Sequence, residues 1–429
     1  MKLRMLPVLT LLFAAVPGLG QATPELLGLE DCVRLALGAG SSLTVARHQA
    51  EIAALEIGKS KAALLPQASV VGAYTATSVV AEGSDIPRFV ALNGPREYLG
   101  LATARQELDT SGRLRAARDR ARADSAVAAA SLGIAQRDLR RAVAGSYYRA
   151  LLARHLAEAG RASLAESRAF EARTKLLFGR GEAARADVVK AQAQTAFLDQ
   201  AVVAAELDSE VALHELLAFW TTDVAVPVRL RDDLDQPLPE PPAQKTAASG
   251  EEPFRLRPEL VRSSAERDGF LADAKRARAE RLPQANLTFQ YGIDSLRFSW
   301  ADRGYAFFAS LDIPVFDWRK GRKAAQQFEL QAEQLDATRQ LETRTFSKEY
   351  QDALSRVRLL HAQLASCRAQ VTLSEENLRL SRIRYDGGEG LALDVVGAQT
   401  QLAQARTNHY TASARYLESL LDLELASGK

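Results

Sequence analysis

Residues 178–192 read FGRGEAARADVVKAQ, and residues 385–399 read YDGGEGLALDVVGAQ. Seven of these fifteen positions are identical at an offset of 207: Gly181/Gly388, Glu182/Glu389, Asp187/Asp394, Val188/Val395, Val189/Val396, Ala191/Ala398 and Gln192/Gln399. The leading pair, Phe178/Tyr385, is aromatic in both copies. A Gly-rich turn followed by a helix start, written twice in one chain, signals an internally duplicated architecture. Gly181 and Gly388 supply the positive φ that a tight reversal needs.

The duplication extends outward from the turns. LLPQASVVGAY (64–74) returns as RLPQANLTFQY (281–291), and LDTSGRL (108–114) is echoed by FDWRKGRK (316–323). Each half therefore reads as helix, Leu-Pro-Gln, strand, loop, strand, Asp-Gly turn, long helix, Gly hairpin, helix. The expected layout is a first repeat over 23–226 and a second over 254–429. The segment 227–253 between them is Pro-rich and polar and reads as a linker or equatorial segment. Pro66 and Pro283 mark helix-to-strand junctions, because the residue before proline avoids the right-handed helical region.

The first 22 residues, MKLRMLPVLTLLFAAVPGLGQA, place Lys2 and Arg4 ahead of an apolar run that ends at small residues. That pattern predicts a secretory signal peptide rather than a membrane span. The chain holds 55 basic and 53 acidic residues. Without Lys2 and Arg4 the two counts are equal, so no basic excess points to nucleic acid. No later stretch reaches the ~18 consecutive apolar residues of a helical span. The five histidines (48, 155, 214, 361, 409) show no metal-ligand spacing. Cys32 and Cys367 are far apart in sequence. No phosphate loop, dinucleotide glycine pattern or nucleophile elbow occurs, so no enzyme, cofactor or metal site is expected.

Two helical stretches, Gly112–Leu177 and Lys320–Arg384, are each about 100 Å long at ~1.5 Å per residue. Their apolar spacing is close to 3.5. Leu114, Ala121, Ala128, Ala135 and Ala142 recur every seven residues. Phe346, Ala353, Leu360 and Cys367 form one seam position of the second helix, and Tyr350, Val357, Leu364, Val371 and Leu378 the other. Sustained heptads predict side-by-side coiled-coil packing, with Cys367 a small core hydrophobe. Shorter partners are expected at Ser42–Leu64, Asp187–Phe219, Pro258–Arg281 and Asp394–Leu425.

The strands alternate. In 285–293, Ala285, Leu287, Phe289, Tyr291 and Ile293 are apolar, and Asn286, Thr288, Gln290 and Gly292 separate them. Residues 304–313 behave similarly, and weaker strands are expected near 68–79 and 97–107. About ten residues with one apolar face suit a transmembrane barrel strand. The alternative is a soluble sheet with one wet face. Trp300, Trp318, Tyr98 and Tyr305 at the strand ends suit an interfacial belt or ordinary core packing. Open edges are not tolerated in hydrocarbon, and known single-chain barrels start at about eight strands. Four strands per chain therefore require several protomers to share one barrel.

This layout resembles the TolC-type outer membrane efflux protein family. The matching stretches are LEDCVRLALGAGSSLTVARHQAEIAALEIGKSKAALLPQ (29–67), LDTSGRLRAARDRARA (108–123), RYDGGEGLALDVVGAQ (384–399) and the duplicated hairpin. The resemblance implies a mainly α fold with a transmembrane β part. Antiparallel coiled coils form a periplasmic tunnel, and a homotrimer builds a 12-stranded barrel in the Gram-negative outer membrane, in contact with its lipid. It implies passive export within a tripartite efflux or type I secretion system, with a periplasmic adaptor (membrane fusion) protein and an inner-membrane transporter as partners. The other reading is an exported coiled-coil scaffold or adhesin without a pore.

By the same resemblance, the hairpins at Gly181 and Gly388 are tips at the periplasmic mouth. A tyrosine matching Tyr385 bonds an aspartate matching Asp187 and holds the mouth shut, and Asp394 matches the first position of a constriction ring. From the residues alone, Asp187 reads as a helix cap. Two positions depart from the family pattern: Gly390 replaces an arginine that strengthens the lock, and Gly397 replaces a second ring aspartate. Arg185 or Lys190 would then be left to reinforce closure.

Overall fold

The structure is a computed structural model and describes residues 26–39, 41–78, 96–242 and 253–428. The expected signal peptide 1–22, the end of the expected first strand (residue 79) and the middle of the 227–253 segment lie outside the described residues. Short strand β1 (Leu26–Leu27) is followed by helices α1 (Leu29–Ala39) and α2 (Ser41–Ala62), then strands β2 (Gln67–Ala76) and β3 (Arg96–Leu108). Helices α3 (Arg113–Gly179) and α4 (Arg185–Leu217) and the short strand β4 (Arg229–Leu230) complete the first half. The second half runs α5 (Pro258–Ala279), β5 (Gln284–Ser295), β6 (Arg303–Asp312), α6 (Lys320–Asp386) and α7 (Ala392–Ala426). α3 and α6 are both 67 residues long, about 100 Å each.

Local chemistry explains each boundary. At both Leu-Pro-Gln sites the helix stops before the proline, at Ala62 and Ala279, three or more residues short of it. The glutamine side chain then folds back onto the exposed carbonyls. Gln67 Nε2 donates to the carbonyls of Ala62 (2.8 Å) and Leu65 (3.0 Å). Gln284 Nε2 does the same to Ala279 (3.0 Å) and Leu282 (2.7 Å). The last carbonyls of a helix have no partner of their own. Pro66 and Pro283 remove the continuing N–H, and the glutamines complete the stop.

The long helices start on aspartates. The Asp109 carboxylate accepts from the N–H groups of Leu114 (2.9 Å) and Arg115 (3.1 Å). Asp317 accepts from those of Arg319 (2.9 Å) and Gly321 (3.0 Å). Gly112, ahead of α3, has φ +82, and at the equivalent place ahead of α6 Arg319 has φ +65. A non-glycine residue is strained there. The second repeat therefore keeps the turn geometry without its glycine.

β2, β3, β5 and β6 form one antiparallel sheet in that order. β3 pairs with β5, for example Ala104 with Phe289, so the sheet joins the two halves. Among the described residues β2 and β6 are free edges, and one chain does not close a barrel. The helices also depart from symmetry. α5 packs against both α3 and α6, whereas its repeat equivalent α2 packs against α3. No described helix is long and apolar enough to cross a membrane.

The second-half heptads are buried or half-buried throughout, including Cys367 at 6% exposure. The first-half heptad drifts. Leu114 and Ala121 are buried, Ala128 and Ala135 are half-buried, and Ala142 is exposed, while Val143, Tyr147 and Leu151 take over the core. A straight helix rotates ~20° per heptad away from a seven-residue stripe, and α3 has partners on several sides. Cys32 and Cys367 are both free and buried. The 227–253 segment is a strap where it is described. Leu230 and Leu234 are buried in the core, and Tyr416 donates to the Pro239 carbonyl at 2.6 Å.

Candidate functional site

Two regions present groups that neither a soluble rod nor a sealed core requires. The first is the sheet. Its register sorts the side chains by face, because residues directly opposite each other in antiparallel strands share a face. One row runs Ala68, Ala104, Phe289, Phe307, and the next on that face runs Val70, Ala102, Tyr291, Tyr305. The intervening rows run Gln67, Arg105, Thr288, Phe308 and Ser69, Thr103, Gln290, Ala306. Apart from Phe308 and Ala306 those two rows are polar, whereas the next row on that face, Val71, Leu101, Gly292 and Gly304, is not. Among the described residues, the apolar face has no charged side chain between Arg96 and Arg303 at one end and the helix junctions at the other.

The apolar face is uncovered. Val70 is 82% exposed, Tyr305 78% and Leu311 60%. Exposed aromatics mark both ends, with Phe298 and Trp300 at the hairpin between β5 and β6 and Phe316 and Trp318 at the start of α6. Ordinary core packing does not describe Trp300, Trp318 or Tyr305, which all stand out from the protein. Tyr98 is half-buried and packs against Tyr74. A contiguous apolar surface of this kind marks a site of interaction.

The second region is the pair of tips. Both use the same turn. Gly181 N–H donates to Phe178 and Glu182 N–H to Leu177, each at 2.9 Å. Gly388 N–H donates to Tyr385 (3.1 Å) and Glu389 N–H to Arg384 (2.9 Å). This is the Schellman pattern, whose C′ residue takes a left-handed conformation. Gly181 and Gly388 have φ +78 and +77. Gly390 differs, for it lies against the helix end. A Cβ there would stand 3.0 Å from the Tyr385 nitrogen and 3.2 Å from the Arg384 carbonyl carbon. At Gly397 a Cβ would meet nothing within 4 Å.

The returning helices start two residues before the aspartates, at Arg185 and Ala392, with Ala184 and Leu391 as extended N-cap residues. Asp187 and Asp394 are therefore third helical residues rather than caps, a position still favoured by the positive helix N-terminus. The Asp394 carboxylate accepts from the Leu391 N–H at 3.2 Å. This is half of a capping box, since leucine has no side-chain acceptor for the other half. Asp187 is half-buried, and its carboxylate has no hydrogen-bond or ion-pair partner among the described residues.

The structure brings Tyr385 inward. It is 8% exposed and packs edge-on to Phe170, with ring centroids 5.2 Å apart. An apolar cluster with Leu177, Ala191, Val395 and Leu402 surrounds it and ties all four tip helices together. Its hydroxyl is buried without a partner. The bond to Asp187 that the family resemblance implies is thus not made in this structure, because the ring is held by the apolar cluster. Arg185 and Lys190 are exposed and make no ion pair among the described residues. Polar ties between the two tips include the Arg173–Asp386 pair (3.1 Å), the Gln399 amide donating to the Glu166 carbonyl (3.3 Å), and the Glu166 carboxylate, which meets Arg406 (3.4 Å) and Arg382 (3.8 Å).

The comparisons with known proteins agree with this geometry. A family described as Outer membrane efflux protein matches residues 33–221 and 255–429. Outer membrane protein OprJ of Pseudomonas aeruginosa is 26% identical over 208 residues, which cover 46% of this chain and 43% of OprJ. Nodulation protein T of Rhizobium leguminosarum is 25% identical over 386 residues, covering 89% of this chain and 77% of that protein. The chain thus aligns with less than half of OprJ. Among solved structures, the Campylobacter jejuni CmeC outer membrane channel superposes with a TM-score of 0.83 over 93% of this chain and 85% of CmeC, at 17% identity. At that identity the likeness is one of fold.

Proposed function

The chain belongs to the outer membrane efflux protein family, and from that premise we propose that it is a passive export duct assembled from three copies. The four-stranded sheet of each copy contributes to one 12-stranded barrel in the outer membrane. The helices continue the duct across the periplasm to the two tips. A periplasmic adaptor and an inner-membrane transporter complete a tripartite efflux or type I secretion system and supply the energy. The apolar face of the sheet meets lipid and the polar face lines the lumen.

The observation that carries this reading is the two-faced sheet with two free edges. Hydrocarbon tolerates an apolar face but not unpaired strand edges, so β6 of one copy pairs with β2 of the next. The broken helix symmetry supports the same assembly. α5 lies between α3 and α6, and α2 lacks its second partner. Val45, Ile52 and Leu55 on α2 are exposed, as are Leu330 and Leu341 on α6. A neighbouring α6 laid against α2 covers both sets. An exported scaffold or adhesin has no use for a two-faced sheet of membrane length. Native mass measurement of the detergent-extracted protein tests the assembly: a trimer is expected, and a stable folded monomer overturns it.

Asp394, Tyr385 and Asp187 are the constriction residues of this proposal. Three copies of exposed Asp394 around an axis attract cations. The unpartnered Tyr385 hydroxyl and the unpartnered Asp187 carboxylate lie at paired tips. A charge-assisted bond between them, worth about 1.5–3 kcal/mol, favours a closed mouth over the arrangement in this structure. Tyr385→Phe then raises resting conductance in planar bilayers, and Asp187→Ala acts the same way. The two effects are less than additive, since both remove one bond. Unchanged conductance in Tyr385→Phe removes this pair from the gate.

A further inference from the structure

We propose that His155, Asp232 and Asp235 form a binding site for a divalent transition-metal ion of the zinc class, which fastens the strap at 229–242 to the tunnel wall. Their donor atoms all lie within 4.8 Å of one another. His155 is nearly two-thirds of the way along α3, ~60 Å from its sheet end, so the site is separate from both the sheet and the tips. The residues are 77 and 80 positions apart in the chain, and no sequence spacing reveals them.

The site is built rather than incidental. His155 is 2% exposed, and its ring is fixed by stacking on Tyr410 at 4.5 Å and 15°. Nε2 lies 2.9 Å from Asp232 Oδ1. Nδ1 faces the Glu158 carboxylate at 3.8 Å, the type of outer partner that orients a ligating imidazole. Asp232 is held from behind. Arg154 donates to its Oδ2 at 2.6 Å, and the N–H groups of Leu234 and Asp235 donate to its Oδ1 at 3.3 Å.

Asp235 is exposed and stands outside the ion pair. The His155–Asp232–Arg154 contacts are complete without it. Its carboxylate has no hydrogen-bond or ion-pair partner among the described residues, yet it stands within reach of both His155 and Asp232. Arg154 pairs with Asp232 and Glu158 and leaves the Asp235 carboxylate as the acidic donor of the group without an ion-pair partner among the described residues. His409 on α7 packs beside Tyr410, with ring centroids 5.4 Å apart, and is not one of the three grouped donors. Imidazole together with carboxylates suits zinc, cobalt or nickel, whereas calcium and magnesium prefer oxygen ligands alone.

Calorimetric titration of chelator-treated, untagged protein in detergent tests the site, with ZnCl2 as the probe and CaCl2 as the control. One saturable zinc site per protomer is expected, with no response to calcium. Zinc should also raise the thermal unfolding midpoint, since a ligand that binds only the folded state stabilises it. His155→Gln removes a buried group and risks misfolding, so Asp235→Asn is the decisive variant. Its metal-free midpoint stays unchanged, because the Asp235 side chain makes no bond there, while zinc affinity falls by about tenfold or more. Absence of saturable zinc binding, an equal response to calcium, or unchanged zinc affinity in Asp235→Asn overturns the proposal. None of these readouts depends on transport.

Discussion

Phe289→Arg tests the two-faced sheet directly. Phe289 is the central apolar-face residue of β5, four positions from Ala285 and four from Ile293, and it stands opposite Phe307 on β6. Those nine residues span about 27 Å along the strand at ~3.4 Å each. With a tilt of roughly 40° they cover about 20 Å of depth, which fits an apolar band ~25 Å tall and puts Phe289 near its midplane. Arginine there costs about 2–4 kcal/mol per protomer, roughly a 30- to 700-fold change in the folding equilibrium at ~1.4 kcal/mol per tenfold. Gln290 is one residue away but shares a row with Ser69 and Thr103 on the polar face. Gln290→Arg should stay within about 0.5 kcal/mol of the parent. Phe289→Ala controls for the lost ring contact with Tyr305, centroids 6.5 Å apart, which is worth about 0.5–1.5 kcal/mol. Urea unfolding in detergent micelles, followed by tryptophan fluorescence, measures all three variants. Equal losses for Phe289→Arg and Gln290→Arg, or a larger loss for Gln290→Arg, refute the assignment of faces.

Gly390→Arg should not restore a latch. Its Cβ meets backbone at 3.0 and 3.2 Å, so the tip turn must shift, and hydrogen exchange across 385–392 should accelerate by at least several-fold. Gly397→Asp, pointing into open space, should keep stability within about 0.5 kcal/mol while strengthening block by multivalent cations in bilayer recordings. Asp109→Ala should cost about 1–2 kcal/mol through loss of the α3 cap. Burial pushes the Asp109 carboxyl up, but hydrogen bonds from the Arg115 side chain and the N–H groups of Leu114 and Arg115 outweigh it and hold the pKa below the ordinary value. That stability is present above the usual aspartate pKa of about 3.9 and fades as pH falls through the lower folded value, so parent and variant should converge there in acid-unfolding curves. Maleimide at neutral pH should label neither cysteine in the folded protein and both after denaturation. Cys32 is fully buried, and burial, with Asp31 beside it, pushes its thiol up to about 12.

The features legible in the sequence are those fixed within a few residues. The duplicated turns are readable because a Schellman end demands a residue with positive φ, and Gly181 and Gly388 supply it. The Leu-Pro-Gln stops are readable because proline acts on its immediate neighbour. The capping role of Gln67 and Gln284 was missed, although its signal, a glutamine directly after each proline, is printed twice. Alternation in β5 and β6 is a period-two property of one strand, so the apolar face of the second hairpin was visible. The weaker alternation of β2 and β3 was not, since Gly, Ala and Thr fit either face.

Tertiary structure decided the rest. Only the pairing register lines up Ser69, Thr103 and Gln290 on one side of the sheet and Ala68, Ala104, Phe289 and Phe307 on the other. Only packing decides that Tyr385 turns into an apolar cluster with Phe170 rather than toward Asp187, because the local sequence permits both. The contrast between α5, which lies between two long helices, and α2, which lies against one, arises from which surfaces remain uncovered. His155, Asp232 and Asp235 meet because a strap crosses a helix about 80 residues earlier in the chain. Backbone conformation is set over a few residues and leaves its mark in the sequence. Proximity between distant segments is set by the burial of whole faces, which no short stretch of sequence records.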